Sequence, residues 1–354
     1  PSERVSLIEE GETLLDAAMK ADVHINASCG GNGSCGKCRV KVVKGNVLSS
    51  PDPNISAQDY DSGYRLACKS RVSGNVLIDV PFESQVDRVA LRRKPPRPHI
   101  LSSTGWDHPA GKWQVDPLVI KVHVQLPVPS IDDNIGDVER LLRELRKREI
   151  IDISVDFRAV TSISEVLRSE NWSVTATLVR HKKGGYRLAG VEPGNREKAH
   201  HGIAIDIGTT TVCGQLLDLS DADKGPVTLA ELSDYNGQIR FGEDVISRIM
   251  YTRKKGGLKR LQEAVVHTVN GVIKELLDTA GMDGSTISHL VIAGNTTMTH
   301  IVCGLDPRYI MLSPYTPAAT FLPPVRTADL GVRAGHRVDA HFVPFVSSYI
   351  GGDI

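Results

Sequence analysis

Three cysteines lie in one short glycine-rich stretch near the start of the chain, and a fourth lies further along. The stretch reads Cys-Gly-Gly-Asn-Gly-Ser-Cys-Gly-Lys-Cys and contains Cys29, Cys35 and Cys38, with Cys68 beyond it. Five residues separate the first cysteine from the second, two separate the second from the third, and twenty-nine separate the third from the fourth. Thiolates in this arrangement, three from a loop and one from a distant turn, are typical ligands of a [2Fe-2S] cluster.

The glycines of this stretch have a physical role. A cluster with thiolate ligands and bridging sulfides is an anion, and backbone N–H groups reach its sulfur atoms only where side chains are absent. Gly30, Gly31, Gly33 and Gly36 leave that space. The alternatives are a zinc site, which usually takes its cysteines in two close pairs, and disulfides, which need no such glycine density. The sequence favours a cluster held by the four cysteines.

The cysteine spacing resembles that of the [2Fe-2S] ferredoxins. Plant-type members have four residues in the first interval, whereas a five-residue interval is that of the adrenodoxin-like branch. The flanking patterns agree with this resemblance, because they predict a strand at residues 5–8, a helix at 12–21 and strands at 39–43 and 76–80. The resemblance implies a β-grasp ferredoxin domain over residues 1–82.

Length and composition bound the rest of the chain. A length of 354 residues predicts two or three domains, and 40% hydrophobic residues suffice for a core in each. Lys plus Arg equals Asp plus Glu at 42 each, so no global charge attracts nucleic acid or a membrane surface, and neither is an expected partner. No signal peptide or apolar run of ~20 residues is found, which predicts a reducing cytoplasm. Because the chain begins at Pro1 and ends within a glycine motif, we expect a fragment of a longer protein.

Hydrophobic periodicity fades between residues 83 and 117. Residues 92–98 read Arg-Arg-Lys-Pro-Pro-Arg-Pro, a basic proline-rich run that favours extended polyproline II structure. We predict a linker over residues 83–117 that moves the ferredoxin domain between docking sites; a plain solvated tether is the alternative. At ~3.1 Å per residue, twenty such residues would span up to ~60 Å.

A small α+β middle domain is predicted over residues 118–195. Its predicted elements are a strand at 118–126, helices at 136–148 and 162–169, and a hairpin of strands at 172–181 and 186–191. The charges of residues 140–148 are interpreted as a solvated helix face. Because no catalytic constellation is present, the domain is assigned a spacing or dimerising role.

From residue 201 the pattern changes to two apolar strands around a polar turn, Asp-Ile-Gly-Thr-Thr-Thr at residues 206–211. An aspartate at a strand end can hold Mg²⁺ through water, and a glycine lets the backbone approach a phosphate. Threonine hydroxyls and N–H groups can then bond the phosphate oxygens. From these residues alone, an ordinary β-hairpin with a Gly-Thr turn remains the alternative.

This arrangement resembles the first phosphate loop of the superfamily that includes acetate and sugar kinases, Hsp70 and actin. A strand at residues 288–293 leads into Asn295 and Thr296, either of which can cap the next helix. In that superfamily this junction lines the nucleotide cleft. An amphipathic helix at 262–277 completes the order of a ribonuclease-H-like subdomain. The resemblance implies that residues 201–354 are the first half of an actin-like ATP-binding domain, without the second phosphate loop.

The last glycine motif allows two interpretations. Gly351, Gly352 and Asp353 form either a turn that approaches a phosphate or the start of the next helix. We predict the helix start.

A [2Fe-2S] ferredoxin, a linker, a small middle domain and an actin-like ATPase domain, in this order, resemble the reductive activators of corrinoid proteins. The sequence motifs that support the resemblance are residues 29–38, 63–68, 206–211, 242–249 and 293–298. The resemblance implies ATP-dependent reduction of Co(II) to Co(I) in a corrinoid methyl-transfer protein, with one electron drawn from a low-potential reductant. A homodimer is a further expectation from it.

The same resemblance implies roles for single residues. Asp206 would orient Mg²⁺ as the catalytic residue. Gly208, Thr209, Thr210 and Thr211 would cradle the phosphates of ATP, and two more residues would bind the nucleotide from the neighbouring junction. Those two are Asn295 and Thr296.

Two other functions stay open. One is a ferredoxin-type electron carrier on an actin-like scaffold that binds no nucleotide. The other is an ATP-dependent activator of a different low-potential enzyme, similar to the activators of 2-hydroxyacyl-CoA dehydratases, although those carry a [4Fe-4S] cluster between subunits. Cys213 and Cys303 are predicted to be small core residues, and His200 and His201 ordinary surface or core residues.

Overall fold

The computed structural model describes residues 4–21, 23, 25–27, 29, 31, 33–81, 84, 117–181, 184–221, 225–335, 338–348 and 350–353. Within these residues, three separate β-sheets follow one another along the chain. Each sheet has its own main hydrophobic core, built from one contiguous stretch of sequence. Apart from residues 84 and 117, the predicted linker lies outside the described residues.

The first sheet has three antiparallel strands in the order β2-β1-β3. The elements of this part are α1 (Leu14–Lys20), β1 (Arg39–Leu48), α2 (Ala57–Asp61), β2 (Tyr64–Leu66) and β3 (Arg71–Asp79). Leu14 of α1, Val40 of β1 and Leu66 of β2 lie in one buried cluster. The helix therefore packs on the sheet beside the cysteine-bearing loop.

The predicted strand at residues 5–8 is wrong, since this segment is not a strand. Val5 and Leu7 are 91% and 96% exposed. Ser6 Oγ donates to the carbonyl of Ala17 at 3.0 Å, and Ile8 packs against the core. The alternating pattern is present, but the segment is held by helix α1 and not by a neighbouring strand.

The second sheet has four strands in the order β4-β6-β7-β5. Its elements are β4 (Val119–Gln125), α3 (Asp137–Arg146), β5 (Ile153–Val155), α4 (Phe157–Ser169), β6 (Ser173–Arg180) and β7 (Tyr186–Pro193). β5 pairs parallel to β7, and the other pairs are antiparallel. Leu141 and Leu145 of α3 and Leu167 of α4 pack with the sheet in one core.

Arg140 contradicts the interpretation of residues 140–148 as a solvated face. Its side chain is 0% exposed, and its guanidinium donates to a carboxylate oxygen and to the carbonyl of Asp133, both at 2.7 Å. Residues 146–148 are exposed, as expected. Helix α3 therefore buries one charge beside its apolar stripe, because the preceding loop supplies a partner for it.

The third sheet has six strands in the order β10-β9-β8-β11-β13-β12. Its strands are β8 (His201–Ile207), β9 (Thr211–Asp218), β10 (Val227–Tyr235), β11 (Ile287–Gly294), β12 (Val325–Arg326) and β13 (Asp339–Phe342). Its helices are α5 (Val245–Tyr251), α6 (Gly257–Ala280), α7 (Thr296–Val302) and α8 (Thr327–Leu330). β8, β9 and β10 form an antiparallel meander, while β8, β11 and β13 run parallel. This order is that of the predicted ribonuclease-H-like subdomain.

Helix α6 is longer than the predicted 262–277 and packs closely on the meander. At Gly214 of β9, a Cβ atom would lie 2.5 Å from Val272 Cγ1 of the helix. The helix ends at Gly281, which has a φ of +64° and accepts the left-handed conformation of a helix C-cap. Gly214 therefore allows the helix to pack closely on β9, and Gly281 ends the helix.

The second and third sheets meet at a junction rich in ionisable groups. Arg187 of β7 pairs with Asp339 of β13. His200 Nε2 lies 3.2 Å from the carbonyl of Val119, and its Nδ1 lies 2.6 Å from Ser288 Oγ. The junction thus ties the starts of β4 and β7 to the third sheet. In the part of the chain described, no helix is both long and apolar enough to cross a bilayer.

Candidate cluster site and nucleotide cleft

The four cysteines predicted as cluster ligands lie together in two pairs. The Sγ atoms of Cys38 and Cys68 are 3.3 Å apart. The Cys29 thiol is hydrogen-bonded to Cys35. Cys38 is buried at the start of β1, and the other three are half-buried. All six cysteines of the chain are free thiols, so the disulfide alternative does not apply.

The loop backbone favours thiolates at this site. Burial raises the pKa of the Cys29 thiol, but hydrogen bonds from Cys35 and from the backbone of residues 33–34 outweigh burial and bring the pKa to about 6. The hydrogen bond between the Cys38 and Cys68 thiols lowers the pKa of Cys38 to about 7 and raises that of Cys68. Because the thiolate is the form that binds metal, the loop is prepared for ligation.

Glycines and a neighbouring turn hold the loop close to its surroundings. Gly33 and Gly36 have φ angles of +78° and +68°. A Cβ atom on Gly33 would lie 2.0 Å from Lys69 Cε, and one on Gly36 would lie 2.9 Å from Asn54 Cβ. Asn54 Nδ2 donates to the carbonyl of Gly33 at 3.1 Å, and Asp52 pairs with Lys69 at 2.6 Å. Larger residues would therefore displace the loop.

The cysteines fit a binuclear cluster better than a single ion. Among the described residues, no three or more His, Cys, Asp and Glu side chains are gathered closely enough for one metal. A [2Fe-2S] cluster with four cysteine ligands needs two thiolates on each iron. With metal–thiolate bonds of ~2.3 Å and tetrahedral geometry, two such sulfurs lie ~3.8 Å apart, which is close to the 3.3 Å between Cys38 and Cys68.

The predicted phosphate turn lies where three adjacent parallel strands end. β8 leads directly into the turn, and Gly294 at the end of β11 pairs with Ile207 of β8. Just after β13, the N–H of Val343 donates to the carbonyl of Ile292 at 3.0 Å. Ligands of open α/β sheets bind beyond the carboxyl ends of their strands. The fold therefore places residues 206–211 at a favourable edge.

The turn itself is tight and contacts the neighbouring junction. A Cβ atom on Gly208 would lie 2.8 Å from the carbonyl oxygen of Thr211, so the turn requires glycine. Asn295 Nδ2 lies 3.3 Å from Thr209 Oγ1 and donates to it. Thr210 is exposed at the tip. The structure therefore brings Asn295 to the turn, as a shared cleft would require.

Asn295 and Thr296 differ in their hydrogen-bond partners, and only Asn295 contacts the predicted phosphate turn. The Asn295 side chain caps helix α7 by accepting from the N–H of Met298 at 2.9 Å. Thr296 is 1% exposed, and its hydroxyl donates to the carbonyl of Ser347 at 2.6 Å. Asn295 therefore borders the cleft, whereas Thr296 fastens the segment after β13.

Asp206 faces a second carboxylate. Burial raises the pKa of Asp206, and the charge of Asp353 raises it further, although the Asp206 side chain still opens to solvent. The N–H of Gly352 donates to the carbonyl of Gly294 at 3.1 Å. Gly352 and Asp353 form a turn, which agrees with the alternative of a turn beside the cleft, and the predicted helix start stays a prediction.

Three buried polar side chains beneath the turn are absent from the sequence prediction. Asn236 Nδ2 donates to the carbonyl of Gly208 at 2.8 Å. Arg248 donates to the carbonyl of Thr209 and, at 2.9 Å, to Gln238 Oε1. Asn236, Gln238 and Arg248 are all 0% exposed. Burial lowers the pKa of Arg248 to about 10, so it is charged at neutral pH. The sequence signal that could have indicated Arg248 is its position as a polar residue within the apolar pattern of helix α5.

Comparison with known families accounts for nearly the whole chain. Residues 1–73 match the 2Fe-2S iron-sulfur cluster binding domain, residues 110–198 the RACo linker region and residues 201–354 the RACo middle region. Together with the fold, these matches define a multidomain α+β protein that begins with a 2Fe-2S ferredoxin domain. The two RACo regions cover more than half of the chain. The chain therefore belongs to the RACo family.

Individual relatives agree with this family. The corrinoid activation enzyme RamQ of Eubacterium limosum is 26% identical over 351 residues, which are 98% of this chain and 52% of RamQ. A solved reductive activator for corrinoid, iron-sulfur protein is 34% identical with a TM-score of 0.63, over 98% of this chain and 55% of that one. This chain therefore spans about half the length of these relatives.

Other relatives match only part of the chain. The Na⁺-translocating NADH-quinone reductase of Haemophilus influenzae has one component that is 36% identical over 83 residues, which are 23% of this chain and 20% of that component. The similarity is thus confined to about a quarter of this chain and a fifth of that component.

Proposed function

We propose that this chain serves the ATP-dependent reductive activation of a corrinoid protein. The substrate is a Co(II) corrinoid on a partner protein, which accepts one electron and becomes Co(I); a low-potential reductant supplies that electron. The observation that carries the proposal is the presence, in one chain of the RACo family, of a four-thiol site and a phosphate-type cleft. The similarity to a solved reductive activator for corrinoid, iron-sulfur protein supports it.

In this proposal Cys29, Cys35, Cys38 and Cys68 hold a [2Fe-2S] cluster, which when bound supplies one-electron transfer. The chain stabilises the ligands through the backbone hydrogen bonds that lower the pKa of Cys29. It also limits solvent at Cys38, which is 1% exposed. Cys29, Cys35 and Cys68 are only half-buried.

The cleft residues divide the binding of Mg-ATP among them. Asp206 would hold Mg²⁺ through water, and Asp353 would add a second carboxylate, because their mutual repulsion is relieved by a divalent cation. Gly208, Thr209 and Thr210 would offer backbone N–H groups to phosphate oxygens, with Thr211 closing the turn. Thr296 would act only through the segment that it holds.

ATP is needed in this proposal because Co(I) is difficult to reach with ordinary electron donors. A ligand shifts an equilibrium only by its differential affinity for the two states. Mg-ATP would therefore have to bind more tightly to the arrangement of the two proteins in which cobalt is reduced. The chain's contribution is the part of the cleft around Asp206 and Asn295.

The test is anaerobic absorption spectroscopy of a Co(II) corrinoid protein mixed with the full-length activator and a chemical reductant. We expect the Co(I) band to develop only when Mg-ATP is present. A Co(I) band of equal rate without Mg-ATP would remove ATP from the proposal. Bleaching of the iron-sulfur bands with no change at cobalt would instead favour a ferredoxin-type electron carrier with another partner.

A further inference from the structure

The loop that carries three of the cysteines faces the nucleotide-binding domain. Lys37, which lies between Cys35 and Cys38, pairs with Glu243 at 3.2 Å. On the other side of the loop, a Cβ atom on Gly31 would lie 3.3 Å from the Nζ atom of Lys254. Two points of the loop therefore contact the segment that surrounds helix α5.

Opposite charges line a crevice of about 390 Å³ beside this contact. From the ferredoxin domain, the crevice is lined by Glu12, just before helix α1, and by Asp16 within that helix. From the nucleotide-binding domain, it is lined by Arg240 and Arg260. Further lining comes from residues of both signs, including Lys20, which pairs with Glu12 at 2.7 Å. The two domains therefore meet across facing charges.

The docking segment also supports the phosphate turn. Arg248 Nε donates to the carbonyl of Gly242 at 2.9 Å, and Gly242 directly precedes Glu243 in the chain. The same guanidinium donates to the carbonyl of Thr209 in the turn. One buried side chain thus connects the neighbour of Glu243 with the phosphate turn.

We propose that the ferredoxin domain docks reversibly, through its cysteine-bearing loop, on residues 240–260, and that docking is linked through Arg248 to ligand binding at the phosphate turn. The second part rests on the proposed function. Lys37 and Glu243 keep 53% and 33% of their side-chain surface exposed. Exposed ion pairs contribute little free energy and are screened by salt, so docked and released forms are close in free energy. Release exposes the cysteine-bearing loop to a protein partner.

The first experiment measures amide hydrogen exchange in the full-length, cluster-loaded protein. Lys37→Glu is expected to raise exchange in residues 33–37 and 242–247 by roughly two- to fivefold, the range of an exposed ion pair. The double variant Lys37→Glu with Glu243→Lys is expected to restore the original exchange. Wild-type protein at about 1 M salt, where the Debye length is ~3 Å, should exchange like the single variant.

A matched control makes the same charge change elsewhere. Lys274→Glu alters an exposed lysine whose partner, Asp278, lies on its own helix, and it should leave exchange in both segments unchanged. The absorption spectrum of each variant verifies the cluster. Unchanged exchange in Lys37→Glu, or no restoration in the double variant, would overturn the docking surface.

The second experiment tests linkage by titrating Mg-ATP. Mg-ATP should change the exchange of residues 33–37 in the wild-type protein, and because coupling between two binding events is reciprocal, Lys37→Glu should change the Kd for Mg-ATP by at most the same factor. An unchanged Kd would overturn the linkage. The hydrogen-exchange experiment alone would then decide whether the ferredoxin domain docks on residues 240–260. Absence of Mg-ATP binding to the wild-type protein would overturn the proposed function and the linkage together.

Discussion

Arg248 illustrates how a single residue can determine the shape of a binding turn. Its guanidinium lies beneath the phosphate turn and donates to the carbonyls of Thr209 and Gly242 and to the side chain of Gln238. Burial lowers its pKa to about 10, although the charge of Asp244 raises it, so the guanidinium is charged at neutral pH. A buried cation in this position also favours an anion on the other side of the turn.

Replacement of Arg248 by methionine should lower the free energy of unfolding by about 3 kcal/mol, since several buried acceptors lose a charged donor. Urea denaturation measures this change. Arg253→Met, at an exposed arginine two residues beyond α5, should stay within ~0.5 kcal/mol of the wild type. Equal stabilities for the two variants would contradict the role assigned to Arg248.

Substitution of Asp206 by alanine or asparagine should abolish nucleotide-stimulated reduction, because the cleft loses the carboxylate that would orient Mg²⁺. The absorption spectrum of the cluster should stay unchanged, since the neighbours of Asp206, Ile205 and Ile207, belong to a different core cluster from the one that contains Cys38 and Cys68. The matched control is Asp329→Asn on helix α8, where the carboxylate pairs with Arg326. Loss of the spectrum together with the activity would refute the assignment.

At the scale of elements, periodicity in the sequence predicted the long strands and helices and failed for short or locally held segments. β8, β9 and β11 alternate clearly, because one of their faces packs against helices. β5 has only three residues, too few to show a period. Residues 5–8 show the period of a strand but take their contacts from a helix, which no local pattern reveals.

In the candidate site, too, the sequence predicted the features that are local in the chain and missed those that depend on tertiary packing. Three of the four proposed cysteine ligands and the 206–211 turn are local in sequence, so their spacing is visible. Asn236, Gln238 and Arg248 reach the turn only through tertiary packing, and nothing next to them in the sequence indicates a phosphate. Arg140 is similar, because its partner Asp133 lies in an irregular loop.

The packing of helix α6 on β9 gives a prediction that contrasts two glycines. Gly214→Ala should destabilise the protein by about 1–3 kcal/mol, since the new Cβ would overlap Val272. Gly271→Ala should stabilise it by about 0.5–1 kcal/mol, because this helical glycine has open space around its Cβ position. Thermal unfolding measures both changes, and a shift of the same sign in both would contradict the packing described here.

At the scale of the molecule, the junction between the second and third sheets concentrates buried histidines. Burial lowers the pKa of His200 to about 4 and that of His289 to about 3. It also lowers those of His201 and His341. The rings of His289 and His341 meet edge to face at 4.9 Å. The folded junction therefore favours neutral histidines, whereas the unfolded chain protonates them near pH ~6.5.

Stability should therefore be complete above pH ~6.5 and fall as the pH drops towards about 4, because the unfolded state binds more protons in this window. Each such histidine contributes up to ~1.4 kcal/mol per pH unit. The carboxylates of Asp133 and Asp156, whose arginine partners lower their pKa to about 2, act only at lower pH. Urea denaturation at several pH values measures the slope.

His200→Gln provides the control for this pH dependence. The glutamine amide retains a donor near the carbonyl of Val119 but does not titrate, so the slope between pH ~6 and ~4 should become shallower. An identical slope in the variant would show that other groups govern the acid sensitivity of the junction.

The separation of the three cores has a consequence for synthesis. Each core draws on one contiguous stretch, and the four cysteines all precede the second stretch. Domains fold as units from the N-terminus while the ribosome still adds residues. The thiols of the ferredoxin domain are therefore arranged before the later domains exist. A scaffold protein that delivers iron and sulfide can meet this domain on the nascent chain, before residues 240–260 are available to cover its loop.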